Sequence, residues 1–119
     1  AMRAYELMII FDGDLDEEAV AASLSKATAT IEAEGGRVVS MLDTEPWGRR
    51  RFAYRINNKW EGVYVVLEVV TEAKDLATTD RNLRLADRSE VVRHKIIRLP
   101  DSEVDRRGLL GEGEPATAG

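Results

Sequence analysis

The sequence contains no cysteine, one histidine and three prolines among 119 residues. The lack of cysteine excludes a disulfide framework and thiolate metal sites, and it suits a reducing compartment. No apolar run approaches the roughly 20 residues of a transmembrane helix. The N-terminus also lacks the charged and apolar regions of a signal peptide. A length of 119 residues therefore predicts one globular domain with a tail.

Catalytic and metal-binding patterns are scarce as well. His94 lies between Arg93 and Lys95 with no carboxylate near in sequence to orient it, so we interpret it as an ordinary strand histidine or, alternatively, a nucleic-acid contact. The acidic residues at 12–18 lack the glycine and glutamate positions of an EF-hand and are better explained as a helix cap. The two aspartates that flank Gly13 would repel a phosphate group. We therefore expect no enzyme activity, no metal and no cofactor.

Positive charge is in deficit overall but concentrated locally. The formal net charge of -5 argues against a protein that coats nucleic acid non-specifically. Residues 47–56, however, combine four arginines with three aromatic side chains and no acidic residue. Arginine contacts to phosphate and base stacking on aromatic rings are the two interactions that hold single-stranded or irregular RNA. The competing interpretation, of equal weight on composition, is a solvated hairpin whose aromatic side chains lie in the core.

Alternating and continuous apolar patterns predict four strands and two helices. The second strand is interrupted at Pro46, which cannot donate to a ladder, and resumes over residues 50–56 as an edge strand with its arginines on one outward face. The first helix is predicted to be capped by Asp14. In chain order the elements are a strand at 3–11, a helix at 15–34, strands at 37–56 and 63–70, a helix at 72–85 and a strand at 91–99.

The order β-α-β-β-α-β predicts an α+β, ferredoxin-like fold, with two helices on one face of a four-stranded antiparallel sheet. Crossover handedness places the first and third strands in the centre and leaves the other sheet face open. Residues 1–99 form the predicted ferredoxin-like, RNA-binding domain. Residues 100–119 carry a net charge of -3, five acidic against two basic side chains, and little apolar content. They are predicted to be an acidic, disordered C-terminal tail.

With these residues in view, the chain resembles the ribosomal protein S6 family of the bacterial small subunit. The resemblance spans residues 2–99, and its segments are specific because they coincide in order and spacing. They are Met2–Glu6, Gly48–Ile56, Glu61–Tyr64, Arg81–Leu85 and Val92–His94.

The resemblance implies a structural protein of the small ribosomal subunit, located on the ribosome in the cytoplasm. It implies binding to the central domain of small-subunit rRNA together with ribosomal protein S18, with partner contacts on the edge strands and the acidic tail. No membrane and no small-molecule substrate are expected. The RNA contacts that the resemblance implies are Arg3, Tyr5, Arg49, Arg50, Arg51, Lys59, Arg93 and His94.

The residues alone leave a second hypothesis open. The chain could be a non-enzymatic ferredoxin-like module that dimerises through its sheet and holds a small ligand between sheets. Such a module requires an apolar patch on the open face, for which the candidates are Met8, Ile10, Val66 and Val70.

Overall fold

A computed structural model of the chain describes residues 2–45, 47–56 and 58–110. The predicted elements follow one another in the expected order, with one further strand and one further helix. In chain order they are β1 (Arg3–Asp12), α1 (Glu17–Ala33), β2 (Gly36–Leu42), β3 (Gly48–Ile56), β4 (Lys59–Thr71), α2 (Ala77–Leu85), β5 (Val91–Arg98) and α3 (Asp101–Arg107). Within those three ranges, no helix is long and apolar enough to cross a membrane.

The strands form one antiparallel sheet in the order β2–β4–β1–β5. β1 and β4 are therefore central, as predicted. β2 pairs with residues 66–71 of β4, and β3 pairs with residues 59–64 of the same strand. Because β1 occupies the other side of β4, β2 and β3 lie end to end along one sheet edge. This confirms the predicted interrupted edge strand and the α+β, ferredoxin-like fold.

Alternation along β1 separates two faces of the sheet. The odd-numbered side chains from Tyr5 to Phe11 pack under the helices, in one core cluster with Leu67 and Val69 of β4. The helices contribute Val20, Leu24, Ile31 and Leu83 to that cluster. The even-numbered side chains of β1 belong to the opposite face, which the two predicted helices leave open.

The start of α1 differs from the prediction. Its N-cap is Asp16, whose side chain accepts a hydrogen bond from the Ala19 amide at 2.8 Å. Asp14, the predicted cap, forms an ion pair with Lys59 instead. The helix therefore begins at Glu17, because the aspartate nearest the first turn binds the unpaired amides and the earlier one is drawn to a cation of β4.

The start of α2 has no capping side chain of its own. Glu34, just after α1, supplies the cap: its carboxylate accepts from the amides of Thr78 and Thr79 at 3.0 and 2.9 Å and from the Thr79 hydroxyl at 2.6 Å. Burial raises the pKa of Glu34, but the hydrogen bonds from Thr79 and Thr78 outweigh it and hold the pKa below the ordinary value. One carboxylate thus joins the end of α1 to the beginning of α2.

Glu34→Ala should lower the free energy of unfolding at pH 7 by about 1 to 2 kcal/mol, because it leaves three first-turn donors without an acceptor. Since the folded pKa is depressed, this contribution is present above the ordinary glutamate pKa and is lost as the pH falls through the folded value. Urea unfolding at pH 7 and at acidic pH measures both effects. Glu32→Ala, on the exposed side of α1, is the control, and equal losses in the two variants would contradict the cap.

The prediction of a disordered tail is wrong for residues 101–110. Pro100 precedes α3, acidic residues occupy its first turn and basic residues its last. Gly108 ends the helix in the left-handed conformation with φ 65°. These are ordinary start and stop signals of a helix. Residues 111–119, the rest of the predicted tail, lie outside the described residues.

α3 packs on the open face of the sheet. Val104 and Leu109 are 8% and 7% exposed and form a second apolar cluster with Ala4, Val70 and Leu99. The Arg107 guanidinium reaches two further sheet residues, donating to Glu6 and Glu68 at 2.9 and 3.0 Å. The folded body therefore continues beyond residue 99, and this end of the open face is covered.

Candidate nucleic-acid interface

β3 and the segment of β4 paired with it, residues 48–56 and 59–64, form a hairpin that we term the arginine hairpin. It carries five basic side chains and one acidic one. Its first three basic residues, Arg49–Arg51, are consecutive, and successive side chains of a strand point to opposite faces. The prediction that the arginines share one outward face is therefore wrong, and the structure gives each of them a different environment.

Two of the predicted contacts are directed toward the acidic loop between β1 and α1. Arg49 donates to the carbonyls of Gly13 and Leu15 at 2.6 and 3.3 Å and to Glu61 at 3.1 Å. Lys59 pairs with Asp14 and lies 3.7 Å from a carboxylate oxygen of Asp12. The hydrogen bond with Asp14 raises the pKa of Lys59. Much of the charge of these two residues is thus neutralised within the protein.

The next two arginines lie over aromatic rings of β4. The guanidinium carbon of Arg50 is 5.9 Å from the Tyr64 ring centroid, and that of Arg51 is 5.3 Å from the Trp60 centroid. Both distances are within the range of cation–π attraction. Neither aromatic residue was among the predicted site residues. The signal that could have found them is the cross-strand pairing of β3 with β4. It places Tyr64 two residues from Gly62, the partner of Arg50, and Trp60 next to Glu61, the partner of Arg51.

A large bulge shapes the tip of the hairpin. Arg51 pairs with Glu61 and Ile56 with Lys59, so the four residues 52–55 oppose Trp60 alone. The bulge turns Phe52 inward, where it is 6% exposed and packs with Ile10 and Val92 on the open face. Gly62 permits this packing, because a Cβ there would lie 2.8 Å from the Phe52 ring. The hairpin is therefore anchored to the sheet by one aromatic side chain.

β5 completes the basic surface on the open face. In the sheet register, Arg93 pairs with Ile10, which pairs in turn with Tyr64. Two residues further along each strand, Lys95 is opposite Met8. The cation over Tyr64 is Arg50 of β3. A row therefore runs across the sheet from Arg93 on β5, through Ile10 and Tyr64 on the two central strands, to Arg50. Arg93 and Lys95 are exposed, and the structure brings them to the same end of the sheet as the hairpin.

Arg3 and Tyr5 lie toward the opposite end of β1. Six residues of strand, about 20 Å, separate the Ala4 end from the Ile10 end. Tyr5 is 5% exposed within the helix-side core, and its hydroxyl donates to the carbonyl of Lys74 at 2.6 Å. Arg3 donates to the same carbonyl at 3.1 Å. The alternation of β1 thus places the Tyr5 ring where no base can stack on it without unfolding the core.

His94 faces the helix side of β5, next to Ile9 in the register. Its Nε2 lies 2.8 Å from an Asp80 carboxylate oxygen, and the His94 side chain is 13% exposed. The hydrogen bond with His94 lowers the pKa of Asp80, and Arg84 contributes in the same direction. The ring joins α2 to β5, so the strand-histidine interpretation describes its setting better than a nucleic-acid contact does.

The apolar patch required by the dimer hypothesis is largely covered. Ile10 lies beneath Phe52, and Val70 lies beneath Val104. Val66 is 1% exposed, and Met8 is half-buried. The open face therefore lacks a contiguous exposed apolar surface at these four positions, which is the feature that a sheet-to-sheet dimer would need.

Fold and surface define the class of the protein: a ferredoxin-like α+β protein that presents basic and aromatic side chains at one end of its open sheet face. The sequence profile of the family described as "Ribosomal protein S6" matches residues 4–98. The chain is 42% identical over 97 residues to the small ribosomal subunit protein bS6 of Corynebacterium aurimucosum, covering 82% of this chain and 96% of that one. It is 44% identical over 98 residues to bS6 of Corynebacterium efficiens, with coverages of 82% and 98%.

Structure comparison agrees with the sequence. The crystal structure of 30S ribosomal protein S6 from Thermotoga maritima superposes with a TM-score of 0.78 at 25% identity, covering 92% of this chain and 98% of that one. The chain belongs to the ribosomal protein S6 family. It is accordingly a structural, non-enzymatic protein of the small ribosomal subunit, whose partners are ribosomal RNA and ribosomal proteins. The predicted location on the ribosome is confirmed by this family membership.

Proposed function

We propose that the protein binds the central domain of small-subunit rRNA together with ribosomal protein S18. The observation that supports it is the row of Arg50, Tyr64 and Arg93 across the open face, with cations on either side of an aromatic residue. Such a row can hold phosphates at the arginines and a base or ribose between them. Of the eight predicted contacts, Arg50, Arg51 and Arg93 fit this role best.

The need for a second protein follows from charge. The net charge of -5 opposes binding to a polyanion, and the arginine hairpin and β5 offset it only locally. Arg49 is also partly neutralised by Glu61, and Lys59 by Asp12 and Asp14. A cation-rich partner beside this surface would supply the missing positive potential and raise the affinity for RNA.

The direct test is a titration of a labelled central-domain rRNA fragment with the protein, alone and with ribosomal protein S18, at about 50 and 200 mM salt. We expect tight binding that requires the partner and falls about 10- to 100-fold at the higher salt, as for a few neutralised phosphates. No binding by a folded sample in any arm would contradict the proposal. A stable homodimer by mass measurement in that case would favour the sheet-dimer module.

A further inference from the structure

We infer that Trp60, together with Tyr54 of the bulge that opposes it, forms a stacking platform for an unpaired nucleobase at the tip of the arginine hairpin. This inference rests on the proposed function and adds the class of nucleotide that the surface selects. Trp60 is 47% exposed and Tyr54 is 61% exposed. Within the described part of the chain, these are the exposed large aromatic side chains, and both belong to this hairpin.

The bulge explains why the two rings are exposed. Residues 52–55 oppose Trp60 alone, so this part of the ladder is open. Phe52 uses the bulge to enter the apolar cluster of Ile10 and Val92, whereas Tyr54 remains outside. When a flat apolar partner covers a large, half-exposed aromatic side chain, the apolar surface that becomes buried stabilises the complex.

The charges around the indole favour RNA over a protein as that partner. Arg51 lies over the Trp60 ring, and Arg50 and Arg55 are near it in the hairpin. Glu61, the acidic residue of the hairpin, bonds to Arg49. Arginine and aromatic side chains also occur together at protein–protein interfaces, but the hairpin has five basic residues against one acidic residue. Such an excess of positive charge attracts a polyanion, and a base stacked on the ring brings its own phosphates to these cations.

Stacking also fits the shape of the hairpin. β4 extends beyond the end of β1, since Asp12 pairs with Gly62 and β4 begins at Lys59. The tip therefore stands beyond the central strands, where it can enter a loop or junction of folded RNA. Bases in such places are unstacked and can be splayed onto an aromatic side chain, while those inside a duplex cannot.

The test compares Trp60→Leu with Trp60→Phe in the titration of the rRNA fragment with ribosomal protein S18. Trp60→Leu keeps an apolar side chain but removes the ring, and it should weaken RNA binding about 10-fold, the loss expected for one stacked base. Trp60→Phe keeps a ring and should restore most of the affinity. The melting temperature should be unchanged in both, because the side chain is half-exposed. The affinity of each variant for ribosomal protein S18 in the absence of RNA is measured in parallel.

A second readout uses fluorescence. The chain has two tryptophans, so Trp47→Phe leaves Trp60 as the reporter. Single-stranded oligouridylate should quench it, whereas a fully paired RNA duplex or inorganic phosphate should not. Two results together would overturn the platform and leave the proposed function intact: wild-type affinity of the Trp60→Leu variant for the rRNA fragment, and no quenching of Trp60 in the Trp47→Phe variant. Loss of S18 binding with unchanged RNA binding would identify a protein contact and overturn it as well. Failure of the wild-type complex to bind the fragment would overturn both.

Discussion

Changing Arg50 and Arg51 together to alanine is expected to weaken binding to the central-domain rRNA fragment on the order of 100-fold, with little change in melting temperature. A hydrogen bond to a charged group is worth about 1.5–3 kcal/mol, and the loss of two arginine–phosphate contacts gives a change of that order. The slope of log affinity against log salt concentration should become shallower by about 1.4 to 1.8, because each of the two lost phosphate contacts contributes about 0.7 to 0.9 to that slope. Stability should be nearly unchanged, because exposed charges contribute little to folding.

The matched control removes the same charge elsewhere. Arg81 and Arg88 are exposed residues of α2 and of the loop that follows it, and their double alanine variant has the same net charge as the test variant. We expect it to lose a few-fold affinity at most, and chiefly at low salt, through the general potential of the protein. Equal losses of affinity in the two variants would show that RNA binding depends on the total charge of the protein and not on the hairpin. An unchanged affinity of the folded Arg50 and Arg51 variant would exclude the hairpin as the contact surface.

The central strands could be predicted because their patterns leave few alternatives. β1 alternates large apolar side chains, and β4 carries a nearly continuous apolar run, so both had to lie between other elements. The interruption at the edge was also readable, because proline cannot take part in a ladder. Element order then limited the topology to one familiar solution.

The orientation of the arginines could not be predicted in the same way. A run such as Arg49–Arg51 specifies charge but not face, and the bulge opposite Trp60 has no period in the sequence. Arg49 is held by the carbonyls of the acidic loop and Arg51 by a ring of the neighbouring strand. Both partners are distant in sequence or depend on the register, so the family signature predicts RNA binding by this segment without specifying the orientation of its side chains.

For Tyr5, the alternation of β1 and the family resemblance predict different environments. The alternation of β1 puts it on the face of Leu7 and Ile9, which in the structure lies under the helices, whereas the resemblance placed it on RNA. The observed burial of 5% follows the alternation. A role of Tyr5 in RNA binding stays a prediction, and the structure favours an indirect one, through the carbonyl of Lys74 that it shares with Arg3.

α3 was missed for a different reason. The segment from Asp101 to Leu110 is acidic and poor in apolar residues, which led to the prediction of disorder. Its capping signals, proline before and glycine after a stretch that changes from acidic to basic, were nevertheless present. The family profile ends at residue 98, so the resemblance gave no guidance there. Packing of Val104 and Leu109 on the sheet, which no local pattern specifies, supplies most of the stability of so short a helix.

Ending the chain after Pro100 should therefore lower the melting temperature by roughly 10 °C. Removal of the two apolar anchors of α3 costs a net of about 2 kcal/mol, and each kcal/mol shifts the melting temperature of a domain of this size by about 4–8 °C. The truncation also leaves Glu6 and Glu68 side by side without Arg107, and Glu68 is 9% exposed. Like charges in that setting repel each other. Calorimetry of the shortened and full chains at pH 7 measures the difference.

The pH dependence and a second truncation separate packing from charge. Hydrogen bonds from Arg106 and Arg107 lower the pKa of Glu103 in α3 to about 2. Because that pKa is depressed in the folded chain, the ion pairs of Glu103 stabilise the fold above its ordinary pKa of 4.5. This stabilisation is lost as the pH falls toward about 2. The stability difference between the two chains should thus shrink below about pH 4.5, to the part due to apolar packing. A chain ending at Leu110 should melt like the full chain, since it keeps the contacts of α3 that the structure describes. If the chain ending at Pro100 also melts like the full chain, residues 101–110 form no part of the folded body, and the disordered tail predicted from composition is the correct description.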